Sequence, residues 1–109
     1  MRLEKGSLAG LPANLPDEEI FEELLRTKSF RVERIISTGQ ASPPGFWYDQ
    51  KEGEWVALLQ GEAVLEFEDG SAEKLRSGDW VFLPPHLRHR VGSTSIEPPC
   101  IWLAVFGRP

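Results

Sequence analysis

A single cysteine among 109 residues excludes an intrachain disulfide, and a domain of this length can bury a core without one. Long apolar runs are also missing. Nothing approaches the roughly 20 residues a membrane-spanning helix requires, and Met1 to Gly6 has no apolar core of a secretory signal. Basic residues are scarce: 12 Lys and Arg stand against 17 Asp and Glu, for a formal charge of −5. That balance argues against a nucleic-acid-binding surface, which normally carries a basic excess. No repeat of fixed period and no low-complexity segment is present. Together these absences leave the expectation of one cytoplasmic globular domain that binds neither membrane nor nucleic acid.

What is present is mostly β patterning. The first fifteen residues, with Gly6, Gly10 and Pro12, read as an irregular arm. Pro16 to Arg26 reads as a short helix, since proline and acids suit a first turn and Ile20, Phe21, Leu24 and Leu25 fall on one stripe. An arm and helix over 1–29, packing on a β-domain over 30–109, is the expected division.

From Phe30 the period changes to two. Phe30 to Ser37, Glu54 to Gln60, Ala63 to Glu68, Glu73 to Leu75, Trp80 to Leu83, His86 to Val91 and Cys100 to Phe106 are the expected strands. Asp69-Gly70 is a hairpin signal, because both residues tolerate positive φ. Ser93 to Pro99 is expected as a loop. Seven or eight short strands with turns between them indicate an all-β sandwich or barrel.

The chemistry gathers at the two ends of the stretch Trp47 to Val91. An acidic cluster that includes Asp49 and Glu54 opens it, and both histidines, His86 and His89, close it. Gly78, five residues, Pro84 and then His89 resembles the second motif of the cupin superfamily, G-x5-P-x-G-x2-H-x3-N. His86 stands at that motif's second glycine and Ser93 at its asparagine. Glu54, six residues and Gly61 resembles the end of the first motif, H-x-H-x3–4-E-x6-G. Its two histidine positions fall on Trp47 and Asp49 with a four-residue spacer, or on Tyr48 and Gln50 with three.

The resemblance covers about residues 30–106. It implies a cupin-type jelly-roll β-barrel, often a homodimer, with a small-molecule site in the barrel mouth. Where the family holds a metal, two histidines and the glutamate of the first motif and the histidine of the second usually bind it. Carried over residue by residue, the candidate ligands are Asp49, Glu54 and His89; by residue chemistry His86 could add a second nitrogen, or His86 or Tyr48 could serve proton transfer. A mixed carboxylate and imidazole set suits manganese, iron, nickel or zinc.

Each of these residues also has an ordinary structural explanation. Glu54 could pair with Arg88 or Arg90, Asp49 could cap a turn, His89 could be a hydrogen-bonded core histidine and His86 a surface residue. A spacing of three along a strand points His86 and His89 to opposite faces unless the Pro84-Pro85 turn intervenes. Two readings therefore stand. One is a metal-bearing cupin acting as an enzyme on a small polar substrate; the other is a metal-free ligand-binding or dimerisation module that has lost catalysis. In the dimer version the helix at 16–26 and an edge strand at 30–37 pack across a two-fold axis.

Overall fold

A computed structural model of the chain describes residues 2–108; Met1 and Pro109, the outermost residues of the two expected segments, lie outside them. Every regular element among the described residues is a strand: β1 (Ile20–Arg26), β2 (Phe30–Ser37), β3 (Gly53–Gln60), β4 (Glu62–Phe67), β5 (Ala72–Arg76), β6 (Trp80–Leu83), β7 (His89–Thr94) and β8 (Cys100–Gly107). They form a five-stranded sheet, ordered β1-β2-β8-β3-β6, and a three-stranded sheet, ordered β5-β4-β7. Among the described residues no helix is long and apolar enough to cross a membrane.

The expected helix over 16–26 is absent. Ile20 to Arg26 is extended and pairs antiparallel with β2, from Ile20 opposite Ile36 to Arg26 opposite Arg31, with a register break between Glu23 and Leu25. The apolar stripe that suggested a helix is not buried, since Phe21, Leu24 and Leu25 are all exposed. Cross-strand chemistry replaces it: the Arg34 Nε–H of β2 donates to Glu22 Oε1 at 2.6 Å. Pairing on the β2 edge satisfies backbone groups that an isolated short helix would have to satisfy alone. Consequently 30–37 is not an edge strand, and a dimer built on that helix and that edge loses both elements. The N-terminal arm is held by the same arginine, whose Nη1 donates to the carbonyl of Leu8 at 3.2 Å.

The core lies between the sheets. Val56, Leu58 and Leu83 of the larger sheet meet Ala63, Leu65 and Leu75 of the smaller one. Trp102, Ala104 and Phe106 point the same way from β8, two residues apart as a strand requires. Beyond the core, β7 continues through Thr94, so the expected loop at 93–99 begins two residues later.

Gly61 carries the chain from one sheet to the other at φ +96°, and a Cβ there would lie 2.8 Å from Cys100 Sγ and 3.0 Å from Cys100 Cα. Gly61→Ala should therefore cost about 2–4 kcal/mol, combining left-handed strain with overpacking against backbone. Gly70 has φ +91° but nothing within 4 Å of a Cβ. Gly70→Ala should lose only the backbone part, about 1 kcal/mol. Urea unfolding of both variants checks the difference; equal losses would show that crowding at Gly61 is unimportant.

Candidate functional site

The segment before β3 runs antiparallel to the approach to β7. Tyr48 N–H donates to His89 O at 2.7 Å, His89 N–H to Tyr48 O at 3.2 Å, and His86 N–H to Gln50 O at 2.7 Å. In such an extended pair, alternate side chains point to opposite sides. Tyr48 and Gln50 turn into a cavity between the sheets, together with Glu54 and His89. Asp49 is not among the residues lining it; its Oδ1 instead lies 2.7 Å from His86 Nδ1, on an exposed surface.

The structure thus brings Glu54, His89 and Tyr48 together and leaves Asp49 and His86 as a separate pair. His86 adopts φ 64°, a backbone state that favours glycine, at the position where the second cupin motif has one. Arg88 and Arg90 bind neither Glu54 nor the cavity: Arg88 pairs with Glu68 and Arg90 with Glu66.

His89 is nearly buried, at 4% exposure. Its Nδ1 lies 2.8 Å from the Leu87 carbonyl, which can only accept, so Nδ1 carries the proton and Nε2 presents a bare lone pair. Burial lowers the imidazole pKa, and the Leu87 bond only partly opposes this, so the ring is neutral at pH 7. Nε2 faces Glu54 Oε1 at 3.9 Å, too far for a hydrogen bond. The Tyr48 ring stacks on the imidazole, centroids 5.3 Å apart and 22° between planes.

The Glu54 pKa is pushed up to about 7, first by burial and then by the nearby Glu33 charge; Arg31 and a hydrogen bond with Gln50 pull the other way. Tyr48 is raised by burial and by Glu19 and Glu54, which keeps the phenol protonated. The cavity measures about 190 Å³, with Phe21, Tyr48, Trp102 and Phe106 among its walls and Glu19, Glu33 and Glu54 as its acids. Arg31 is its one cation among the described residues. That guanidinium lies 4.1 Å from the Phe106 ring centroid and is already bound to Glu33 and Glu52.

Ser37 Oγ–H donates to Glu19 at 2.6 Å and receives Trp102 Nε1–H at 3.1 Å, which anchors that acid at the wall. The cavity contributions of Arg31, Glu33 and Ile35 were not foreseen from sequence. Their signal was the two-residue spacing along one strand, which puts two charged groups on the same face as an apolar one.

The four positions that hold a metal in the resemblance are occupied here by Tyr48, Gln50, Glu54 and His89. That set does not fit a divalent ion. It offers one imidazole and one carboxyl, with a phenol and a weakly ligating amide where the first motif has its two histidines. Among the described residues no group of three or more His, Cys, Asp or Glu is placed to hold a metal.

Comparison with known proteins agrees with this architecture. The cupin domain family model matches residues 33–106. A crystal structure from Ralstonia eutropha JMP134, provisionally described as a mannose-6-phosphate isomerase, superposes with a TM-score of 0.89 at 46% identity, covering 97% of this chain and 99% of that one. A Thermus thermophilus protein superposes at 0.78 with 21% identity over 98% of this chain and 100% of its own. A cupin superfamily protein of Desulfitobacterium hafniense DCB-2 does so at 0.73 with 15% identity, over 90% and 84%. The last two show the fold alone. A search of curated proteins finds no match. The motif register, the two-sheet fold and the family match over 33–106 agree: the chain belongs to the cupin domain family.

Proposed function

We propose that this cupin binds a small molecule in the cavity between its sheets and does so without a resident metal. The observation that carries the reading is the His89 Nε2 lone pair, open to the cavity on an otherwise nearly buried ring and without a hydrogen-bond partner among the described residues, facing Glu54 in an aromatic-walled space. A mostly apolar pocket with a few convergent polar groups is the usual form of a ligand site. A carboxyl that titrates near 7 is also suited to proton transfer at neutral pH. Glu54 and His89 could therefore move a proton on a bound ligand, with Tyr48 holding the imidazole plane.

The description of the Ralstonia relative raises a sugar phosphate as ligand. The cavity chemistry does not favour it here. A phosphate would find only Arg31, whose Nε and Nη1 already serve Glu33 and Glu52, beside three acids. Protein purified without a histidine tag is expected to hold less than about 0.1 equivalent of manganese, iron, nickel or zinc after reconstitution, a level too low for a genuine site. Its thermal midpoint should be unmoved by chelator and by mannose 6-phosphate. A stoichiometric metal or a chelator-sensitive midpoint would overturn the metal-free reading. A saturable upward shift with the sugar phosphate would restore it as a ligand.

A further inference from the structure

We propose that the ligand class of this cavity is a compact primary ammonium ion carried on a single ring. This rests on the reading of the cavity as a metal-free small-molecule site, and it adds a charge and a size to that reading.

Size comes first. A dry cavity of about 150 Å³ holds benzene, so a space of about 190 Å³ holds a six-membered ring with one short substituent. Phe21, Tyr48 and Trp102 supply apolar and π surface for that ring and for a cation close to it. The Phe106 face is already used by Arg31.

Hydrogen-bonding capacity decides the substituent. The cavity presents two acceptors, the His89 Nε2 lone pair and the Glu54 carboxylate, 3.9 Å apart. One nitrogen can sit within about 2.8 Å of both acceptors. An ammonium has three protons and no lone pair, so it satisfies both at once. A hydroxyl has one proton and satisfies one of them. A carboxylate has none and meets two acceptors.

Charge points the same way. Glu19, Glu33 and Glu54 line the space against one guanidinium, which Glu33 and Glu52 already neutralise. Glu19 is hydrogen-bonded by Ser37 but has no cationic partner among the described ion pairs. The titratable and polar groups that share the cavity with Glu54 are Glu33 and Arg31 from β2, Glu19 ahead of β1, Tyr48 and Gln50 from the loop, and His89 from β7; of these Glu33, Arg31 and Gln50 act on Glu54 directly. A cation entering among them relieves the Glu33–Glu54 repulsion that an anion would add to.

The test compares benzylamine, benzyl alcohol and benzoate, which share a ring and differ in the end group, by calorimetric titration at pH 6 and pH 8. Benzylamine is expected to bind at least about tenfold more tightly than either analogue at pH 8, the equivalent of one lost charge-assisted bond. Its affinity should rise about tenfold from pH 6 to pH 8 as Glu54 ionises. Glu54→Gln should remove that rise, and because the pH profile is read on the wild-type protein the test survives a variant that fails to fold. Equal binding of the alcohol overturns the ammonium assignment and leaves the cavity reading intact. Tightest binding of benzoate overturns the assignment too. No binding of any probe at millimolar concentration overturns both.

Discussion

Glu54→Gln should raise the folding stability at pH 8 by about 3 kcal/mol and leave it unchanged at pH 4. The Glu54 pKa lies at about 7 in the fold against an ordinary 4.5, and each pH unit of displacement is worth about 1.4 kcal/mol. A raised carboxyl pKa means the folded state binds the proton more tightly than the unfolded chain. Its stability is therefore fully present below about 4.5 and is lost as pH rises towards 7. Above that range the fold carries a carboxylate with little water, beside Glu33, opposed only in part by Arg31 and Gln50. Glutamine keeps the shape and removes the charge. Guanidinium unfolding at the two pH values measures the effect. The same gain at pH 4 as at pH 8 would show that the benefit comes from packing and has nothing to do with ionisation.

The second large effect is expected at Leu58. Its side chain is at 0% exposure within the cluster that joins the two sheets, and Leu58→Ala should cost about 2–5 kcal/mol through lost transfer energy and the space left behind. Leu58 anchors more than its side chain. Its N–H donates to Asp79 O at 2.9 Å and its carbonyl accepts from Gly78 N–H at 2.7 Å, which fixes the turn before β6. Because it is not among the residues lining the cavity, the variant should lower the unfolding midpoint while ligand affinity measured well below that midpoint stays put. Leu58→Met should cost less than about 1.5 kcal/mol. Similar losses for alanine and methionine would mean that the core there does not depend on filled volume.

These residues also show how far the chain could be read beforehand. Strands β2 to β8 were legible as alternating or short continuous apolar runs between turns that carry glycine, proline or Asp69-Gly70, although β7 runs from His89 to Thr94 and not from His86 to Val91. Strand β1 was not. Ile20 to Arg26 is rich in glutamate and leucine, which favour helices locally, and no residue within it announces that β2 offers an open edge; tertiary pairing overrode propensity.

The site was half legible. Glu54 and His89 came from motif spacing and do face one another. The choice between Asp49 and its neighbours rested on a spacer of three or four residues, and in an extended chain one residue of offset exchanges inside for outside. The fold takes the shorter spacer, so Tyr48 and Gln50 look inward while Asp49 meets His86. Arg31 and Glu33 escaped notice because a surface ion pair and a cavity-lining one have the same sequence signature.

Strand β8 sits between β2 and β3 although it follows both by some forty residues or more in the chain. Synthesis from the N-terminus therefore makes two strands whose shared neighbour does not yet exist. Until translation reaches Phe106 the larger sheet cannot assemble, and its inner faces remain open to chaperones or to other nascent chains. Mistakes during manufacture of this protein should thus concentrate in chains stalled just short of that strand.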